Sequence, residues 1–372
     1  MKLSSYLALL FMGTCSAGDL TLYVGTKSSI YTVDFSTETG AFAEAQEAHA
    51  APTSSFLAFS KDQKHLYSTF SLTNPETNKK TGAVASYSLS GKTTLKKTSE
   101  SASGGRGTCY VSLDMTGKCL LSADYGSGHL SSYLLSDDGQ ITKRVSTITL
   151  EGSSINPQRQ KGPHAHSIYI SPDNKHVYAA DLGSDKVLCY ALDSTTAELT
   201  PLPSASTPPG SGPRHIAIHP DGQRLFVLNE LTCTVSTFAR DAQTGSLKLL
   251  STIDVLQGET KGMTCSEIRL SPDNKHLYTG NRDITFKKRD SLSHLTITDD
   301  PAVAPELKQV LSLPISIPRN FNLTPKGKWI IAGGQYSNNL LAIERNTETG
   351  TLKITDHLIE VPSPQCILIK AD

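Results

Sequence analysis

The chain has 372 residues, with Lys+Arg 35 balancing Asp+Glu 35 for a formal net charge of +0. That balance offers no electrostatic attraction to nucleic acid or to an anionic membrane surface, and neither is expected as a partner. Hydrophobic residues make up 37%, which is low for packed helices and suits strands that bury one face; the length allows one large repeat architecture or two ordinary domains.

Residues 1–17 read as a secretory signal: Lys2, then the apolar run from Tyr6 to Met12, then the small-residue site Cys15-Ser16-Ala17. The apolar run is too short to span a bilayer, and no later segment reads as transmembrane. The expectation is an exported, soluble chain with one domain over 18–372, or a cytoplasmic one if the signal reading fails. Six further cysteines are Cys109, Cys119, Cys189, Cys233, Cys265 and Cys366. They form no CxxC pair, so no metal site is expected, and no cofactor. Most lie in apolar runs as small core residues, and Cys109 with Cys119 is the nearest pair to weigh as a disulfide. An Asn-Leu-Thr sequon at Asn322 falls in an expected strand.

From there a single pattern recurs: an apolar strand, a polar turn, and a second apolar strand often ending in Tyr. It reads SKDQKHLYS from Ser60, LDMTGKCLLS from Leu113, SPDNKHVYA from Ser171, HPDGQRLFV from His219, SPDNKHLYT from Ser271 and TPKGKWIIA from Thr324. With Gln63, Gly117, Asn174, Gly222, Asn274 and Gly327 as equivalent turn positions, the steps are about 54, 57, 48, 52 and 53 residues, the length of propeller blades. A third strand and an Asp/Thr/Gly turn follow in each copy, as in SDDGQI from Ser136, DAQTGSL from Asp241 and NTETGTL from Asn346. The stretch from Thr21 enters this pattern halfway, and VPSPQCILIK from Val361 supplies only an opening strand. Six turns plus one repeat shared by the two ends predict an all-β, seven-bladed propeller whose last blade joins N- and C-terminal strands, removing free edges. The most irregular piece is Thr285 to Leu295, and a longer loop is expected there.

A repeat scaffold needs turns and apolar strands, not charges at the ends of inner strands. His166 stands before one first strand, and Arg214 with His215 holds the same place in the next copy. Arg319 precedes another. Glu230 follows LFVLN, and Arg282 follows HLYTGN. These positions can converge on the central channel from neighbouring blades; the alternative is a set of structural ion pairs between blades. His164 either orients His166 or caps its loop. His65, His176 and His276 recur at the turn–strand junction and read as scaffold, while Asp181 reads as an Asx turn.

The elements GPHAH, GPRHIAIHPDGQRLFVLNEL, LSPDNKHLYTGNR and PRNFNLTPKGKWIIAGGQYSNNL, with YVGT at Tyr23 and ADYGSGHLSSY from Ala123, resemble the lactonase family of seven-bladed propellers. That family includes 6-phosphogluconolactonase and carboxy-cis,cis-muconate lactonizing enzyme. The resemblance implies catalytic roles for His166, Arg214, Glu230 and Arg282, with His164, Arg319 and Gln335 as further substrate contacts. This chain departs from the pattern at Thr69-Phe70, where Asn-Glu is expected, after Arg282, and at Gly334-Gln335 in place of Asn-Gln. The implied activity is metal-independent hydrolysis of a sugar-type lactone, Glu230 or His166 taking the proton from water and the other supplying it to the leaving alkoxide. A cycloisomerase closing an anionic muconate-type diacid uses the same groups, and a secreted propeller that only binds is a third reading. No feature points to an oligomeric state.

Overall fold

The computed structural model describes residues 19–73 and 78–371; the expected signal peptide lies outside them. Every regular element among the described residues is a strand, and the 28 strands form seven four-stranded antiparallel sheets. The closing blade is built from both ends of the chain: Cys366–Ala371 pairs with Leu20–Gly25, which pairs in turn with Ser29–Phe35 and Gln46–Ala50. The remaining blades follow in chain order over 57–102, 108–149, 165–206, 213–254, 263–312 and 318–360, called blades 2 to 7 below. The predicted count and the split blade are both present.

The six turn positions read from the sequence all adopt a left-handed backbone, with φ between 55° at Gln63 and 74° at Gly117. Gly, Asn and related polar residues tolerate that region, which is why the turns recur as they do. One correction concerns the irregular stretch. Only 284–290 is a loop; Ser291–Thr296 is a regular third strand, paired with His276–Asp283.

Inner strands pack apolar side chains between blades, and a polar clasp repeats at the outer side. The Tyr that closes the sequence repeat stands third in the second strand, not at its end, and donates its hydroxyl to the turn glycine of the following blade: Tyr67 to Gly139 at 2.9 Å, Tyr178 to Gly245 at 3.0 Å and Tyr278 to Gly350 at 2.7 Å. At two interfaces an arginine completes the clasp. Arg240 donates to Tyr178 and to both oxygens of Asp173, and Arg345 donates to Tyr278 and Asp273. His176 and His276 sit in these clasps, as their scaffold reading requires. Ring closure has its own device. Trp329 donates its indole N–H to the Thr37 carbonyl at 2.8 Å, and its ring lies where a Cβ on Gly40 would stand, so that turn accepts only glycine.

The six cysteines of the domain are all free thiols. Cys109 donates to the His166 carbonyl and Cys119 to the Ser194 carbonyl, so the pair weighed as a disulfide sits at opposite ends of the β-hairpin in blade 3, each thiol turned to a separate carbonyl of blade 4.

Candidate active site

The innermost strands of blades 3, 4, 5 and 7 share one irregularity. Register with the second strand slips between Thr108 and Tyr110, Ala165 and Ser167, Pro213 and His215, and Pro318 and Asn320. The residues left unpaired by these bulges are Cys109, His166, Arg214 and Arg319. A β-bulge re-aims its extra side chain out of the alternating pattern. Cys109, His166 and Arg319 line a cavity of about 540 Å³ at the centre of the ring. Glu230, directly after the strand Arg224–Asn229, and Arg282, near the end of His276–Asp283, line it as well.

Glu230 is the hub. Its Oε2 accepts from Arg214 Nε at 2.9 Å and lies 3.2 Å from Arg282 Nη2, while Oε1 accepts from Arg159 Nη2 at 2.8 Å. His166 Nε2 stands 3.7 Å from Oε2. All of these but Arg159 are buried. Burial alone would raise the Glu230 pKa, but Arg282, Arg214, His166 and Arg159 outweigh it and hold the carboxyl well below its ordinary range. His166 is pushed the other way from an ordinary imidazole. Burial, then Arg214, lowers its pKa well below the usual value against the opposing pull of Glu230, leaving a neutral ring at pH 7. Its Nδ1 is buried without a hydrogen-bond partner among the described residues.

Arg214 is itself braced from behind. Its Nη1 donates to the Ser266 carbonyl and to His215 Nε2, the latter at 3.1 Å. Because Nε2 accepts, the His215 proton sits on Nδ1, which donates to Glu267 at 2.9 Å. Asn320 and Arg269 also donate to Glu267, whose pKa is lowered to about 2 as Arg269 and His215 overcome its burial. Arg319 has no carboxylate partner among the described residues. Burial and the nearby Arg214 and Arg282 reduce its pKa to about 10, so it is a cation held against like charge.

The structure thus brings His166, Arg214, Glu230, Arg282 and Arg319 together. His164 and Gln335 are not in the cavity wall. The His164 ring stacks on Tyr125 at 4.5 Å and its Nδ1 meets the Tyr125 carbonyl, so it supports Tyr125, which does line the cavity. Gln335 follows the strand Trp329–Gly334, its backbone N–H tied to the Ile317 carbonyl. Asp181 accepts from the backbone N–H groups of His164 and Gly183 and holds the loop ahead of His166. Asn229 and Asn281 anchor the bends before Glu230 and Arg282 through serine and threonine hydroxyls. Two participants were missed from sequence. Arg159 comes from a loop with no repeat or motif to mark it, and Tyr125, though in a matched stretch, is itself uncharged and so was not singled out.

The family model described as lactonase, 7-bladed β-propeller, matches residues 10–369. The chain belongs to the lactonase family. Within it, the 6-phosphogluconolactonase of Formosa agariphila is 30% identical over 88% of this chain and 91% of its own. That of Bacillus subtilis is 28% identical over 93% and 97%. Among solved structures, a periplasmic gluconolactonase of Pseudomonas aeruginosa superposes with a TM-score of 0.86 at 26% identity, covering 95% of this chain and 99% of that one. For this lactonase, a 6-phosphogluconolactonase-like hydrolase, similarity to these lactone hydrolases favours lactone opening over the cycloisomerase and binding-only alternatives.

Proposed function

We propose that the cavity hydrolyses a sugar-type lactone with His166 moving the proton in both directions. The observation that carries this is the opposite electrostatic setting of two neighbours: a neutral buried imidazole beside a carboxylate held ionised by arginines. An ionised Glu230 has no proton to supply to a leaving alkoxide, which revises the division of labour expected from sequence. The neutral His166 takes a proton from water as its oxygen adds to the lactone carbonyl carbon. Arg282, in the cavity wall, faces the oxyanion that forms, where preorganised donors act most strongly, and Arg214 adds its positive charge from behind Glu230. Collapse of the tetrahedral adduct breaks the ring C–O bond, and the imidazolium returns its proton to the departing alkoxide. The net change is one water added and an open-chain hydroxy acid released. Glu230 steadies the transient imidazolium and fixes the two guanidinium groups.

Arg319, a cation without a protein carboxylate, suits an anionic group on the substrate, so both 6-phosphogluconolactone and simple gluconolactone belong in the assay. Turnover is measured by pH-stat, corrected for spontaneous hydrolysis. His166→Ala is expected to lose on the order of 10²- to 10⁴-fold in kcat; wild-type turnover in that variant would sink the assignment.

Export is part of the proposal, supported by the Lys2 and Tyr6–Met12 pattern and by similarity to a periplasmic gluconolactonase. N-terminal sequencing is expected to find a mature chain starting near Gly18; an intact, cell-retained N terminus overturns it.

A further inference from the structure

The 284–290 loop carries an unusual display. Phe286 is 57% exposed and stacks at 5.6 Å and 13° on Tyr336, which is 61% exposed. Tyr336 comes from the neighbouring blade 7, just beyond the strand Trp329–Gly334. Stacked rings with more than half their surface in water gain little for folding.

The loop is nonetheless held firmly. Asp283 accepts from the backbone N–H groups of Thr285, Lys287 and Arg289 and from the Arg289 guanidinium, which also reaches the Lys261 carbonyl. Phe286 itself is left-handed, φ 58°. A bulky side chain adopts that region only where its surroundings impose it, and such outliers gather at functional sites.

Position indicates what the rings meet. Ile284, two residues before Phe286, lines the catalytic cavity with Arg282, so the loop that carries Phe286 starts at the cavity wall. The cavity wall also presents the hydroxyl-bearing residues Thr53, Ser55, Ser71 and Thr264, suited to a polyol rather than to a hydrocarbon. An aromatic face carries negative quadrupole charge and packs against the polarised C–H face of a pyranose ring, while the sugar hydroxyls stay in water.

We infer that Phe286 and Tyr336 form a subsite for a second sugar ring, and that the preferred substrate is a glycosylated aldonolactone. Its lactone ring lies at the Glu230 centre and its attached pyranose lies on the aromatic pair. The inference deepens, and rests on, the lactonase reading above.

The test compares D-glucono-1,5-lactone with its 4-O-glucosyl derivative on wild type, Phe286→Ala and Tyr336→Ala, and adds calorimetric binding of the open glucosyl-gluconate product. Wild type is expected to prefer the glucosylated lactone. Each variant is expected to lower the ratio of the two kcat/KM values roughly five- to tenfold, from one lost ring contact, and to weaken product binding in parallel. Equal kcat/KM for both lactones in wild type, or a ratio unmoved by both substitutions, overturns the subsite and leaves the lactonase reading standing. Failure to open either lactone, with product binding that still depends on Phe286, removes the lactonase reading and keeps the sugar platform. Failure to open either lactone together with product binding that ignores both substitutions removes both.

Discussion

Replacing Glu230 by Gln keeps the side-chain volume and deletes the carboxylate facing Arg159, Arg214 and Arg282. The side chains of Arg214 and Arg282 are only 3% and 9% exposed, so water cannot replace what they lose. Arg159, at 36%, is screened and adds little. Breaking a buried ion pair by removing one partner costs about 3–5 kcal/mol, because a charge is left uncompensated. At ~2.1 cal/mol/K per residue over roughly 350 ordered residues, 1 kcal/mol corresponds to about 1.4 °C in Tm. Glu230→Gln is therefore expected to melt about 4–7 °C below wild type in chloride buffer, followed by circular dichroism. Inorganic phosphate at about 100 times its Kd returns about 2.7 kcal/mol, and the rescue is expected to be larger in the variant than in wild type, since the freed arginines bind the anion. A variant that melts within about 1 °C of wild type would refute the reasoning, because Glu230 would then not be holding those charges together.

Arg319→Met removes a cation that has no carboxylate ion pair among the described residues and stands near Arg214 and Arg282; it is expected to raise Tm by about 1–2 °C while increasing KM for a phosphorylated lactone about tenfold or more over the neutral one. Unchanged KM for the phosphorylated substrate would remove Arg319 from anion binding. The lowered His166 pKa predicts a kcat/KM that stays level as the pH falls through 6.5, with its acid limb well below; a limb centred at the ordinary histidine value counts against His166 as the base. The same shift makes the folded state bind fewer protons than the unfolded chain below about pH 6.5, so stability declines with acidity there. Arg345→Met opens the Tyr278–Asp273 clasp and is expected to lower the urea midpoint with m unchanged. Asp273 is held at about 2 against an ordinary 3.8 through Ser271 and Arg345 despite partial burial. Its contribution is full above about pH 4 and fades as the pH falls toward 2, and the variant is expected to show a shallower loss across that window. An unaltered midpoint would make the clasp ornamental.

The blade count was legible because turns obey local rules: Asn174 and Gly222 announce a left-handed backbone wherever they occur. His166, Arg214, Glu230 and Arg282 were legible as departures from what the repeat needs. The means of aiming them was not. A bulge such as that at His166 is a mismatch between two strands, and neither strand alone carries its signature. Arg159 reaches Glu230 across 71 positions of sequence, and His215 reaches Glu267 across 52. Contacts of that separation are created by the ring, so a reading of neighbouring residues does not contain them. The loop after Arg282 was expected to be longer than it is because its charged run, KKRD from Lys287, resembles no blade strand, yet the strand resumes at Ser291.

The shared closing blade also sets a timetable. Leu20–Gly25, buried along its whole length, is made before the other blades, and its partner Cys366–Ala371 is made after them. At about 5–20 residues per second of synthesis, the first strand waits roughly 20–70 s for the second. Gln365, at the head of that final strand, lines the catalytic cavity. The nascent chain can stack its middle blades one after another, but the cavity wall is completed only when that strand has been made. A ribosome stalled before Gln365 would leave a ring with a gap and an active site lacking one side.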